Sequence, residues 1–118
     1  MRLFYKVFFQ WVLGIDISDQ TKIGKGFIVY HGQGLIINSD TIIGENVIIR
    51  QCTTIGNSKF GGKCPVIGNN VNIGANSVII GDIKIGDNAI IGAGSVVVKD
   101  VQEFTVVAGN PARVINKI

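Results

Sequence analysis

"IGNNVNIGANSVIIGDIKIGDNAIIGAGSV", residues 67–96, places an aliphatic residue at every sixth position: Ile67, Ile73, Ile79, Ile85 and Ile91, with Val97 just beyond. Four positions after each stands a small or aliphatic side chain: Val71, Ser77, Ile83, Ala89, Ser95 and Val101. A period of six matches neither the 3.6 of an amphipathic helix nor the 2 of a half-buried strand. It matches a solenoid in which each hexad is a short strand plus a corner, stacked on its own copy in the next coil. The same phase runs back through Ile37, Ile43, Ile49 and Ile55, and an N-terminal set, Ile17, Ile23 and Val29, keeps the period. The fourth residue of the hexads is often Gly, Asn or Asp: Gly26, Asn46, Asn70, Asn76, Asp82, Asn88 and Gly94. These types tolerate the positive φ that a tight corner needs. Sixteen glycines and ten asparagines in 118 residues argue against a helical chain.

The rhythm breaks twice. Val29 to Ile37 is eight residues, and the extra pair falls in "VYHGQGLI", which holds the single histidine of the chain, His31. Gly32 and Gly34 let the backbone detour there and leave room for something to approach. The second break is "TIGNSKFGGKCPVIG", where Ile55 and Ile67 are separated by a polar, Gly-rich excursion near 57–66.

The length bounds one domain, read as a β-solenoid over 14–118 with coils near 17–34, 37–54, 55–78 and 79–96. A hydrophobic content of 47% suits its core. Net charge is +3, with the lysines dispersed and no basic run interleaved with aromatics, so no nucleic-acid partner is expected. Cys52 and Cys64 read as reduced thiols of an intracellular protein, Cys52 as structurally idle. "MRLFYKVFFQWVL", residues 1–13, reads as an amphipathic helix whose thin polar stripe is Arg2, Lys6 and Gln10. It is shorter than the roughly 20 residues a bilayer span needs, and it has no small-residue cleavage site. Its apolar face is expected to dock on the protein or a neighbouring subunit, with peripheral membrane contact as the alternative.

The hexads resemble the [LIV]-G-x-x-[STAV]-x signature of left-handed parallel β-helix acyltransferases. That resemblance implies an all-β fold, left-handed winding, three hexads per triangular coil, and homotrimers. "GIDISDQTKIGKGFIVYHG", residues 14–32, is similar to serine acetyltransferases and implies a catalytic pair of His31 and Asp16. The pair suits the chemistry. A neutral imidazole can take the proton of an attacking hydroxyl, while a carboxylate orients the ring and stabilises the imidazolium.

The acceptor side departs from that family. Tyr30 stands where the serine enzymes keep an Asp, and in "GKCPVIGN" Lys63 keeps a positive charge while Cys64 replaces an imidazole. "YHG", "IRQCTTIGN", "KCPVIGN" and "GAGSVVV" look more like exopolysaccharide O-acetyltransferases of the colanic-acid and capsule type. Tyr30, Lys63 and Cys64 are therefore the substrate-side candidates. Acetyl-CoA is the implied co-substrate, with Gly56, Asn57, Ala75 and Ala93 along its pantetheine arm. The closing "AGNPARVI" resembles the G-x-P-A-[RK] ending of these enzymes, which implies Arg113, with Lys99, toward the coenzyme's phosphates. No metal is implied. The expected function is O-acetylation of a saccharide hydroxyl on a small-molecule or lipid-linked acceptor, in the cytoplasm or at the inner membrane face. The alternatives are serine O-acetylation and a non-catalytic or truncated β-helix module.

Overall fold

The computed structural model describes residues 2–5 and 14–118. Of the helix expected over 1–13, Arg2–Tyr5 form one helical turn (α1), and the remainder lies outside the described residues. Among the described residues no helix is long and apolar enough to cross a membrane.

From residue 14 onward the chain winds as a three-sided parallel β-solenoid. The first face stacks β1 (Asp16–Ile17), β4 (Ile36–Ile37), β7 (Thr54–Gly56), β10 (Val78–Ile80) and β13 (Val96–Val97). The second stacks β2 (Lys22–Ile23), β5 (Ile42–Ile43), β8 (Val66–Ile67) and β11 (Lys84–Ile85), continued by a bridge from Ile85 to Val101. The third stacks β3 (Ile28–Tyr30), β6 (Ile48–Arg50), β9 (Asn72–Ile73), β12 (Ile90–Ile91) and β14 (Thr105–Gly109). A final strand, β15 (Ala112–Lys117), turns back antiparallel on β14.

The six-residue period has a direct physical meaning here. Ile37, Ile43, Ile49, Ile55, Ile67, Ile73, Ile79, Ile85, Ile91 and Val97 all point inward and are nearly or wholly buried. Each contributes about 1.5–3 kcal/mol of burial. The residues four positions on, among them Val47, Thr53, Val71, Ser77, Ala89 and Ser95, fill the inner corners. The hydroxyls of Ser77 and Ser95 are satisfied there by the carbonyls of Gly74 and Gly92.

The corners follow the expected asparagines. Asn46, Asn70, Asn76 and Asn88 have φ between 57° and 62°, in the left-handed region that Asn reaches more easily than most residues. Asp82 departs from the expectation: the positive φ at that corner belongs to its neighbour Gly81. His31 and Cys52 take left-handed backbone as well, at φ 53° and 57°.

Register locates both breaks in the repeat. Asp16 pairs with Ile36, Ile36 with Thr54, Thr54 with Val78 and Val78 with Val96. Successive coils therefore take 20, 18, 24 and 18 residues. The first excess lies between β3 and β4, at His31. The second lies between β7 and β8, over residues 57–65. Both lengthen a corner and leave the strand register untouched.

Candidate active site

Two edges of the prism carry the residues singled out from the sequence. At the return edge the chain passes from the third face to the first. Here the backbone forms a column. Gly34 donates its N–H to Gly14 O (2.7 Å), and above it Cys52 N donates to Gln33 O (2.9 Å). Asn76 N then donates to Gln51 O (3.0 Å), and Gly94 N to Ala75 O (2.8 Å). His31 lies on this edge in the widened corner that follows β3. Its neighbour Gly32 sits so close to Ile15 that a Cβ at 32 would come within 3.2 Å of Ile15 Cδ1. Ile15 leads directly into Asp16. The structure thus brings His31 and Asp16 to one edge on adjacent coils. Both residues are exposed. Ala75 and Ala93 stand on the same edge, higher in the stack.

The other cofactor candidates stand elsewhere. Gly56 and Asn57 end β7 at the edge where the first face meets the second, and Gly81 N donates to Gly56 O (3.0 Å) there. Lys99 lies just past β13 on that same edge. Arg113 sits on β15, opposite Ala108 on the third face, and is exposed. Within one chain the return-edge pair, Ala75 and Ala93, and the far-edge pair, Gly56 and Asn57, do not converge.

A groove of about 390 Å³ crosses the first face from one edge to the other, with Asp16, Ile36, Thr54, Gly56, Asn57 and Ile80 in its lining. The excursion after β7 borders it. A weak bond from Asn57 Nδ2 to Gly62 O (3.4 Å) and a Gly62 N–H to Lys59 O turn (2.9 Å) tie the excursion together. Phe60 at its tip is fully exposed. Lys63 is exposed, whereas Cys64 is buried where the chain re-enters the second face. Burial pushes the Cys64 thiol above the ordinary thiol range. Cys52, read as idle, is exposed at the return edge, and both cysteines are free thiols.

One residue near His31 carries no mark in the sequence reading. Arg50 ends β6, directly above Tyr30. Its guanidinium lies 5.6 Å from the centroid of the Tyr30 ring. Nη1 donates to Asn72 Oδ1 (2.6 Å) and to Ile73 O (3.1 Å). The signal was present as a departure from the repeat. The residue after an inward isoleucine on the third face is Gly74 in one coil and Gly92 in another, but Arg50 in this one.

A three-faced parallel β-solenoid built on hexads, with one histidine in a widened corner, defines the class. Residues 64–99 match the family model for bacterial transferase hexapeptide (six repeats). The putative colanic acid biosynthesis acetyltransferase WcaB of Escherichia coli K12 is 39% identical over 93% of this chain and 68% of its own length. Serine acetyltransferase 4 of Arabidopsis thaliana is 43% identical over 88% of this chain. The serine acetyltransferase structure from Neisseria gonorrhoeae superposes with a TM-score of 0.87 at 40% identity, over 92% of this chain and 42% of that one. The Brucella abortus enzyme, solved in complex with coenzyme A, superposes at 0.87 with 34% identity, over 92% of this chain and 44% of that one. The chain belongs to the hexapeptide-repeat acetyltransferase family. It spans about a third of the length of the plant serine acetyltransferases it matches.

Proposed function

We propose that this chain transfers an acetyl group from acetyl-CoA to a hydroxyl, with His31 as general base and Asp16 orienting it, and that the acceptor is a saccharide. The observation that carries the reading is the widened return edge. It exposes the single imidazole on a left-handed backbone, beside the strand that begins with Asp16. In this mechanism the acceptor oxygen attacks the thioester carbonyl as His31 takes its proton. The tetrahedral adduct then collapses, and the imidazolium returns the proton to the departing thiolate. The carboxylate of Asp16 holds the imidazole in one orientation and favours its charged form.

The small residues Ala75 and Ala93, above His31 on the same edge, leave space for a pantetheine arm to lie along the backbone. Gly56, Asn57 and Lys99 stand on a different edge, and Arg113 on the third face. A second copy of the chain, apposing its far edge to this return edge, would complete the groove, which favours a homotrimer. Light scattering of the purified chain tests the assembly. A fully active monomer would contradict it.

For the acceptor, Tyr30 beside the base offers a ring face and a hydroxyl to a sugar. The WcaB relative, matched over two thirds of its length, also favours a saccharide. Serine acetylation is the second reading, favoured by the serine acetyltransferases among the relatives and solved structures. Free-thiol release from acetyl-CoA, measured against L-serine and a panel of saccharides, separates the two. Efficient L-serine turnover, at a kcat/KM of about 10⁴ M⁻¹s⁻¹ or more, would reverse the ranking.

A further inference from the structure

We propose that Arg50 reads a carboxylate on the acceptor and is the specificity-determining residue of this site. The inference builds on the acetyl-transfer reading above and adds the charge of the substrate.

The argument starts from an imbalance. Arg50 is partly buried, and among the described residues it has no carboxylate partner. Its contacts are the Asn72 side-chain oxygen, the Ile73 carbonyl and the Tyr30 ring, all uncharged. The described residues include all eight acidic side chains of the chain. Drawing a guanidinium partly out of water without a counter-charge is unfavourable, and an anion that completes the site recovers the loss.

The guanidinium is also pre-oriented. Asn72 and the Ile73 carbonyl, one coil up, hold Nη1 from one side, and the Tyr30 ring, one coil down, lies under Cζ at 5.6 Å from its centroid. One nitrogen is engaged, and the remaining N–H donors keep the planar fork that pairs with a carboxylate through two parallel hydrogen bonds.

Position supplies the third element. Tyr30 directly precedes His31, and Arg50 is paired with Tyr30 across adjacent strands, about 4.8 Å apart in the backbone. A carboxylate bound at Arg50 would hold the rest of a small acceptor against the Tyr30 ring, with a hydroxyl within reach of the base. The same carboxylate chemistry is found in a sugar acid and in an amino acid, so two pairs of acceptors are needed.

The test measures acetyl transfer to a methyl uronoside against its neutral glycoside, and to L-serine against L-serinamide. It compares the wild-type chain with Arg50→Gln and Arg50→Lys, each first checked for an unchanged melting temperature. Whichever pair is accepted, the carboxylate member should be favoured by roughly ten- to a hundredfold in kcat/KM, the scale of hydrogen bonds to a charged group. Arg50→Gln should abolish that preference through acceptor KM, lowering kcat/KM far more on the carboxylate member than on the neutral one, with the acetyl-CoA KM unchanged. Arg50→Lys should recover part of it. Equal losses on charged and neutral acceptors would overturn the proposal and make Arg50 a support for Tyr30. A raised acetyl-CoA KM would overturn it in favour of a role toward the coenzyme. Which pair is accepted tests the saccharide reading separately. If neither pair is accepted, calorimetric titration of the uronoside and of L-serine into both proteins decides: binding that Arg50→Gln removes upholds the assignment, and equal or absent binding rejects it.

Discussion

Ile73→Ala should be among the most damaging single truncations in this chain. Ile73 is wholly buried, with Ile91 registered above it and the β6 strand below. The substitution removes three carbons, which at about 0.8 kcal/mol each costs about 2.4 kcal/mol of transfer free energy. A globular core would recover part of the resulting cavity by relaxing. Here the coils are pinned at the spacing set by their hydrogen bonds, Gly74 N to Ile91 O at 2.8 Å and Ile48 N to Val71 O at 3.0 Å, so the stack cannot close over the gap. The total loss should reach about 4 kcal/mol, in the upper half of the range for such truncations. That corresponds to a fall in Tm on the order of 15 °C. Ile42 provides the control: it points outward and is 43% exposed, so Ile42→Ala should cost at most about 1 kcal/mol. Urea unfolding followed by circular dichroism, at one fixed protein concentration, measures both. A cost below about 1.5 kcal/mol for Ile73→Ala, or equal costs at the two positions, would refute the picture of a rigid inward ladder.

His31→Ala should lower turnover by roughly 10² to 10⁴-fold with little change in acetyl-CoA binding, the scale expected of a general base; near-full activity would sink the mechanism. Asp16→Asn should cost less, because the imidazole remains, and steady-state kinetics on the two variants rank them. At pH 8 a thiol reagent should modify Cys52 quickly and Cys64 only on unfolding, read as one fast equivalent and a second released by denaturant. Since burial raises the Cys64 thiol, the folded state favours its protonated form. That contribution is present below the ordinary thiol range and is lost as the pH climbs through the raised value, so Cys64→Ala should flatten the alkaline fall in stability.

The fold was legible because its repeat is written in single residues. One inward isoleucine per six, and one asparagine or glycine per corner, fix the coil number and the core before any long-range contact is considered. Asp82 was misplaced because two adjacent residues competed for one left-handed position, and the glycine took it. His31 was found because the widened corner shows as a change of spacing. The Arg50–Tyr30–Asn72 cluster was not found, since it depends on side chains 20 and 22 residues apart meeting across a coil of non-standard length. Cys64 gave no sign of its burial in the sequence, for a related reason. It lies in the excursion, where no periodicity says which side faces in.

The reversed strand at the C-terminal end bears on self-association. A stack of parallel, in-register strands with bare ends is the geometry by which cross-β fibrils recruit further chains. On the third face β15 runs the opposite way to the strand it covers and carries Arg113 and Lys117 along its length. An incoming copy of the solenoid would meet a template of the wrong polarity, lined with two cations. The hairpin therefore works as a terminator. It lets the chain use the most propagation-prone architecture in β-structure while keeping this end of that face from seeding a fibre.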